Sequence, residues 1–146
     1  MTDILAKVIA TVESGPFPYA MRFEPGVYAR PPFPPTLAAA EKANHCNDAT
    51  ARVVLATSYG LFQIMGFNLY GPLKLTIAIG PYLFDTEQQF DAFKRFVTLN
   101  GFDPENFDFT DDGLIERFAR SYNGLGDVAN YSAKMKAAYA ALPKEV

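Results

Sequence analysis

Apolar residues recur at helical spacing from the start of the chain, with Ile4, Leu5, Val8, Ile9 and Val12 on one stripe. Thr2 reads as the N-cap of that helix and Gly15-Pro16 as its stop. Prolines 16, 18, 25, 31, 32, 34 and 35 then forbid regular helix, which predicts an extended loop over residues 16–35 with a short hairpin around 22–28. Good helix formers return over residues 36–46 and again over 49–56. Residues 58–65 predict a short helix capped by Ser58, with Gly66 just past its end. The apolar run 75–79 fits strand or buried helix, and its helical neighbours favour helix. Asp85 and Gln88 form a capping pair ahead of the stripe Phe90, Phe93 and Val97, which Asn100-Gly101 ends. A second stripe, Leu114, Ile115, Phe118, Ala119 and Tyr122, stops at Asn123-Gly124, and a last helix spans 131–142. With no repeat and no linker, the pattern predicts one mainly α domain over residues 1–146, with a proline-rich loop and room for a small β-hairpin.

Composition narrows the chemistry. Cys46 and His45 are the only cysteine and the only histidine in 146 residues, which rules out a disulfide framework and weakens any His-based triad or metal site. Catalysis, if present, falls to carboxylates, with no cofactor. Thirteen basic against 16 acidic residues leave a net charge of −3, which offers no footprint for nucleic acid. Asp3, Lys7 and Glu13 break up the N-terminal segment as a signal peptide, and no run approaches the ~20 apolar residues of a membrane span. A chain made and first kept in the cytoplasm, with no membrane insertion, is expected.

Glu13 is the most informative acid. At 100° per residue it lies about 110° from the centre of the apolar arc of the first helix, at the border of the buried face and in the last turn. Partial burial and the negative end of the helix dipole both favour its protonated form, as a general acid needs. Simple exposure near a helix end is the plain alternative. Glu24, 11 residues on in RFEPG, would supply the second carboxylate of a glycosidase pair if the loop folds back, or an ion pair with Arg22 or Arg30. Phe17, Tyr19, Phe23, Tyr28 and Phe33, interleaved with the prolines, offer faces for sugar stacking or pack the loop onto the core.

The order of four blocks is more telling than any residue alone. SYGLFQIMGFN, EQQFDAFKRF, FARSYNGLG and YSAKMKAAY, preceded by ATVES, resemble the N-acetylmuramidase domain of many phage endolysins. That domain belongs with the goose-type lysozymes and lytic transglycosylases in the lysozyme-like superfamily, and the likeness runs from Ala10 to Ala141. It implies a lysozyme-like fold that acts as a monomer on peptidoglycan glycan strands, cleaving the β-1,4 bond between N-acetylmuramic acid and N-acetylglucosamine. It also implies that Glu13 is the catalytic acid with Ser14 as its companion, and that Ser58, Tyr59, Gly60 and Gln63 meet the glycan. Tyr122 and Asn123 would line the cleft, and Glu24 would position or activate water. Release to the wall through a holin lesion follows from the same likeness. The chain departs from the pattern in its short 16–35 loop and in Leu125-Gly126, where the family carries a proline-containing turn. Three other readings stand beside it: a lytic transglycosylase, a catalytically silent wall-binding or virion module, and a metal-dependent hydrolase using His45, Asp48 and a further carboxylate.

Overall fold

Asp3 opens helix α1 (Ile4–Ser14) by accepting the Ala6 N–H on its carboxylate, and Gly15 closes it in the left-handed conformation at φ 69°. The computed structural model describes residues 3–144, so the cap expected at Thr2 lies outside the described residues. Leu5, Val8 and Ile9 are buried, as the stripe predicts, while Ile4 is 43% exposed.

The proline-rich stretch carries more regular structure than its composition predicts. Met21–Phe23 forms strand β1, Pro25–Tyr28 a single turn, α2, and Pro34-Pro35 begin α3 (Pro34–Asn44). Proline suits a first helical turn, where its missing N–H would be unpaired in any case. The local hairpin expected over 22–28 does not form. β1 pairs instead with β2 (Thr57–Tyr59), Met21 opposite Tyr59 and Phe23 opposite Thr57. Between them α4 (Asp48–Leu55) is capped by Asn47, whose side chain accepts the Thr50 N–H.

Residues 58–65 correct the sequence expectation most sharply. They are not a helix: β2 turns back into β3 (Ile64–Met65), completing an antiparallel sheet of order β1-β2-β3. Gly60 at φ 75° and Gln63 at φ 49° make the turn, and neither value is compatible with a right-handed helix. Gly66 does not end a helix but begins one, α5 (Gly66–Tyr70), where a Cβ would sit 2.0 Å from the Val54 carbonyl oxygen. The close packing of α4 on α5 is what requires glycine there. Residues 75–78 are not helical either. Lys74 sits at φ 51°, the Leu75 N–H reaches back to the Leu69 carbonyl, and α6 (Ile79–Phe84) starts only where the Asn44 side chain accepts the Ile79 N–H.

The later helices follow the stripes. α7 (Thr86–Leu99) has Asp85 accepting the Gln88 N–H, and α8 (Asp112–Asn123) ends as expected at Gly124. α9 (Val128–Ala140) begins three residues before the expected start, and its face packs on α1, so the two ends of the described chain meet. Phe93 and Val97 are buried; Phe90, at 36% exposure, sits at the rim. One core joins these elements, with Phe62 of the hairpin stacked on Phe93 at 4.3 Å and Phe118 stacked on Tyr122 at 5.3 Å. Burial of each such ring contributes about 1.5–3 kcal/mol, so the hairpin is anchored to α7 by packing as well as by its ladder. Among the described residues no helix is long and apolar enough to cross a membrane.

Candidate active site

Glu13 ends up half-buried in the last turn of α1, against the face of α9. The Tyr131 hydroxyl of α9, from a residue only 5% exposed, donates to Glu13 Oε1 at 2.5 Å. Burial raises the Glu13 carboxyl above its ordinary 4.5, while the Tyr131 hydrogen bond and the charges of Arg22 and Lys134 pull it part of the way back. No basic residue stands in the last turn of α1 to offset the helix dipole, which pushes the same way as burial. Tyr131 is pushed far upward by its own burial and then by the negative charge of Glu13, so it remains a phenol and a donor. The result is a carboxyl group biased towards holding a proton, with one oxygen fixed in place.

That carboxyl opens into a pocket of about 160 Å³ whose walls are almost wholly polar. Arg22 from β1 and Lys134 from α9 bring positive charge, Asn123 and Asn130 bring amides, and Asp127 brings a second carboxylate. A site with a carboxyl whose proton affinity is raised, cations and amide donors is equipped to bind a hydroxyl-rich ligand and to protonate an oxygen at its centre.

The other residues singled out by sequence fall into different places. Asn123, at the end of α8, shares the pocket with Glu13. Ser14 serves its own helix end and the hairpin: its hydroxyl lies 2.9 Å from the Leu61 carbonyl and 3.1 Å from that of Ala10, and it accepts the Phe17 N–H. The Gln63 amide is consumed internally, donating to the carbonyls of Ala20 and Gly60 and accepting from the Ser58 hydroxyl at 2.8 Å. Tyr59 is 2% exposed, donates to the Val54 carbonyl, and is pushed up to about 12 by burial. Gly60 packs its bare Cα against Gln89, whose Oε1 would lie 2.3 Å from an added Cβ. Tyr122 stacks in the core and donates to the Phe62 carbonyl. Ser58, Tyr59, Gly60 and Gln63 thus shape the hairpin beside the pocket, and Glu24 is held by Arg22, Nε to Oε1 at 2.9 Å, outside the pocket wall.

Two residues have roles that the sequence reading did not assign. Tyr131 lies 118 positions from its partner and reads as one more core aromatic. Gln89 is 0% exposed and ties three segments together, accepting the Leu61 N–H and donating to the Pro18 and Leu83 carbonyls. Its signal was present: positions 89, 93 and 97 share one helical face, and a polar residue on a buried stripe needs partners.

All five loop aromatics are at least 45% exposed. Phe17 and Tyr19 join Phe84 in one cluster, with Tyr19 and Phe84 centroids 5.2 Å apart. Tyr28 and Phe33 line a separate, more apolar groove of about 350 Å³ with Phe67. Among the described residues no three His, Cys, Asp or Glu side chains gather as a metal site would require.

The model of the N-acetylmuramidase family matches residues 36–143. The chain belongs to the N-acetylmuramidase family. It is also similar to an endolysin of Enterobacteria phage PRD1, 32% identical over 138 residues, which cover 89% of this chain and 92% of the relative. No solved structure matches it. As a muramidase the chain is a peptidoglycan-degrading glycosidase with a lysozyme-like helical fold. The family match spans the hairpin, α7, α8 and α9 and starts downstream of α1, so it takes in Tyr131 and Asn123 but not Glu13.

Proposed function

We propose that this muramidase cleaves the β-1,4 bond between N-acetylmuramic acid and N-acetylglucosamine, with Glu13 as general acid. The observation that carries the reading is the half-buried Glu13 carboxyl, biased towards its protonated form, held by Tyr131 and open to a polar pocket. Glu13 donates its proton to the glycosidic oxygen as the C1–O bond breaks, which removes the need to expel an alkoxide. The Arg22 and Lys134 charges then stabilise the carboxylate left behind. Asn123 and Asn130 bind sugar substituents at the pocket wall. The hairpin residues Ser58, Tyr59, Gly60 and Gln63 act through the backbone they hold in shape, while Tyr122 fixes the Phe62 carbonyl behind it. Residues 1–146 act as one catalytic domain and as a monomer on murein. By likeness to the PRD1 endolysin, the biological setting is lysis of a bacterial host after release from the cytoplasm.

A lytic transglycosylase, in which the muramic acid C6 hydroxyl captures C1, is favoured by one observation: Glu24, the expected helper of water, is engaged by Arg22. Mass spectrometry of products from purified murein separates the two, since hydrolysis adds one water and the internal route leaves 1,6-anhydro ends. The decisive variant for the acid is Glu13→Gln, which keeps the Tyr131 contact and loses the proton donor. Loss of at least about 100-fold in murein cleavage with the fold retained is expected. Near-normal cleavage by that variant would sink the assignment.

A further inference from the structure

Inverting hydrolysis needs a base on the face of the sugar opposite the acid, and inverting glycosidases place the two carboxyl groups about 6.5–9.5 Å apart to admit water. Glu24 is badly placed for that task. Its carboxylate is bound to the Arg22 guanidinium and forms no part of the pocket wall. The second carboxylate in the pocket of Glu13 belongs to Asp127.

We propose that Asp127 is the catalytic base of this muramidase, taking the proton from the water that attacks C1, and that the enzyme inverts the anomeric centre. The inference rests on Glu13 being the acid. Asp127 precedes α9 as its N-cap, yet its side chain caps no backbone N–H. Instead Oδ2 accepts from the Asn130 amide at 3.0 Å, and among the described residues no group donates to Oδ1. That amide fixes the carboxylate while leaving one oxygen for water. The Asp127 carbonyl accepts the Tyr131 N–H at 3.0 Å, so the two residues stand one turn apart on the same side of α9. One turn is about 5.4 Å of rise. Tyr131 spans from this side of α9 to Glu13. Both carboxyl groups therefore face one pocket, Glu13 from α1 and Asp127 from the start of α9.

The step balances without a further reactant. The water oxygen bonds to C1 from the face opposite the leaving group, and its proton passes to Asp127. The C1–O electron pair leaves with the glycosidic oxygen, which takes the proton of Glu13. The product is a muramic acid hemiacetal of the α configuration, and exchange with solvent returns a proton to Glu13 and removes one from Asp127.

The test uses the full chain on soluble murein glycan strands, comparing wild type, Asp127→Asn, Asp127→Ala, Glu24→Gln and Glu13→Gln. Proton NMR reads the first-formed anomer and mass spectrometry the product ends. The α anomer from wild type is expected, with kcat reduced at least about 100-fold in both Asp127 variants at little cost in KM, more than tenfold beyond the loss in Glu24→Gln. Azide should restore turnover to Asp127→Ala and yield the α-glycosyl azide. A β first product, 1,6-anhydro ends, or Asp127 variants within tenfold of wild type would overturn the proposal while leaving Glu13 as the acid. If an Asp127 variant fails to fold, the wild-type anomer still tests inversion, and a β first product overturns the proposal. An active Glu13→Gln overturns the underlying reading, and the role of Asp127 with it.

Discussion

Gln89→Leu is the substitution whose cost the structure defines best. Leucine fills nearly the same volume, so packing on Phe93 and the hairpin is kept while the amide is lost. Three backbone groups then lose a partner: the Leu61 N–H at 2.8 Å, the Pro18 carbonyl at 3.0 Å and the Leu83 carbonyl at 3.1 Å. Pro18 is half-exposed and can turn to water, whereas Leu61 and Leu83, both 8% exposed, cannot readily do so. Two buried orphaned groups at about 1–3 kcal/mol each, less the apolar gain of leucine, give a net loss of about 3 kcal/mol. For a chain of this size that corresponds to a fall in Tm of about 6–12 °C. The comparison is Gln88→Leu, the same change one position earlier, where the side chain is exposed and the cost is under about 0.5 kcal/mol. Urea unfolding at pH 7 with calorimetry measures both. If Gln89→Leu loses less than about 1 kcal/mol, or no more than Gln88→Leu, then the buried amide is not what closes the hairpin onto α7 and the bookkeeping of orphaned groups is refuted. Activity should fall as well, because the Leu61 carbonyl receives the Ser14 hydroxyl next to Glu13.

Two further outcomes follow from the environment of Glu13. Tyr131→Phe removes the hydrogen bond that favours the Glu13 anion, so the carboxyl rises further and the basic limb of the pH–kcat/KM profile moves to higher pH, with kcat about tenfold lower from loss of orientation; a limb that stays or moves down contradicts the assignment. In stability, a carboxyl raised in the folded state binds more protons than the unfolded chain does between 4.5 and its raised value, so wild type loses stability as pH climbs through that window. Glu13→Gln removes that loss and should melt higher than wild type at pH 7.5 but not at pH 4. Thermal unfolding of both proteins across pH measures this, and parallel curves would count against a desolvated acid.

What the sequence made legible, and what it did not, divides along the range of the forces involved. α7 and α8 were readable because a cap and a buried stripe are local, and both sit within one helix. The edge position of Glu13 was readable for the same reason, since a helical wheel needs only α1. Residues 58–65 were not, because good helix formers surround Gly60 and Gln63, and only the arrival of β1 from the proline-rich stretch makes a strand worth forming. Gly66 has the same sequence signature as a helix stop, yet it is glycine because the Val54 backbone occupies the space of a Cβ. Glu24 shows both sides of the limit. Its ion pair with Arg22 was one of two readings open on spacing, and spacing had no means to choose between them.

On the proposed role of Glu13 as general acid, the placement of Arg22 explains why that ion pair matters. A guanidinium facing Glu13 alone would favour the carboxylate and strip the site of its proton donor before substrate arrives. Arg22 is shared instead: its Nε is bound by Glu24 at 2.9 Å while its charge still reaches Glu13 as a secondary influence, behind burial and behind Tyr131. Burial therefore prevails in the resting site, and the cations matter most once the proton has left and a full charge sits on Glu13. With Glu13 as the proposed acid, the same arrangement would tie catalysis to the completed fold, since Glu13 comes from α1, its hydrogen-bond donor from α9 and its moderating cation from β1. Burial of Glu13 exists only when the two ends of the described chain have packed together, so the elevated carboxyl is a property of the tertiary structure and not of any one helix.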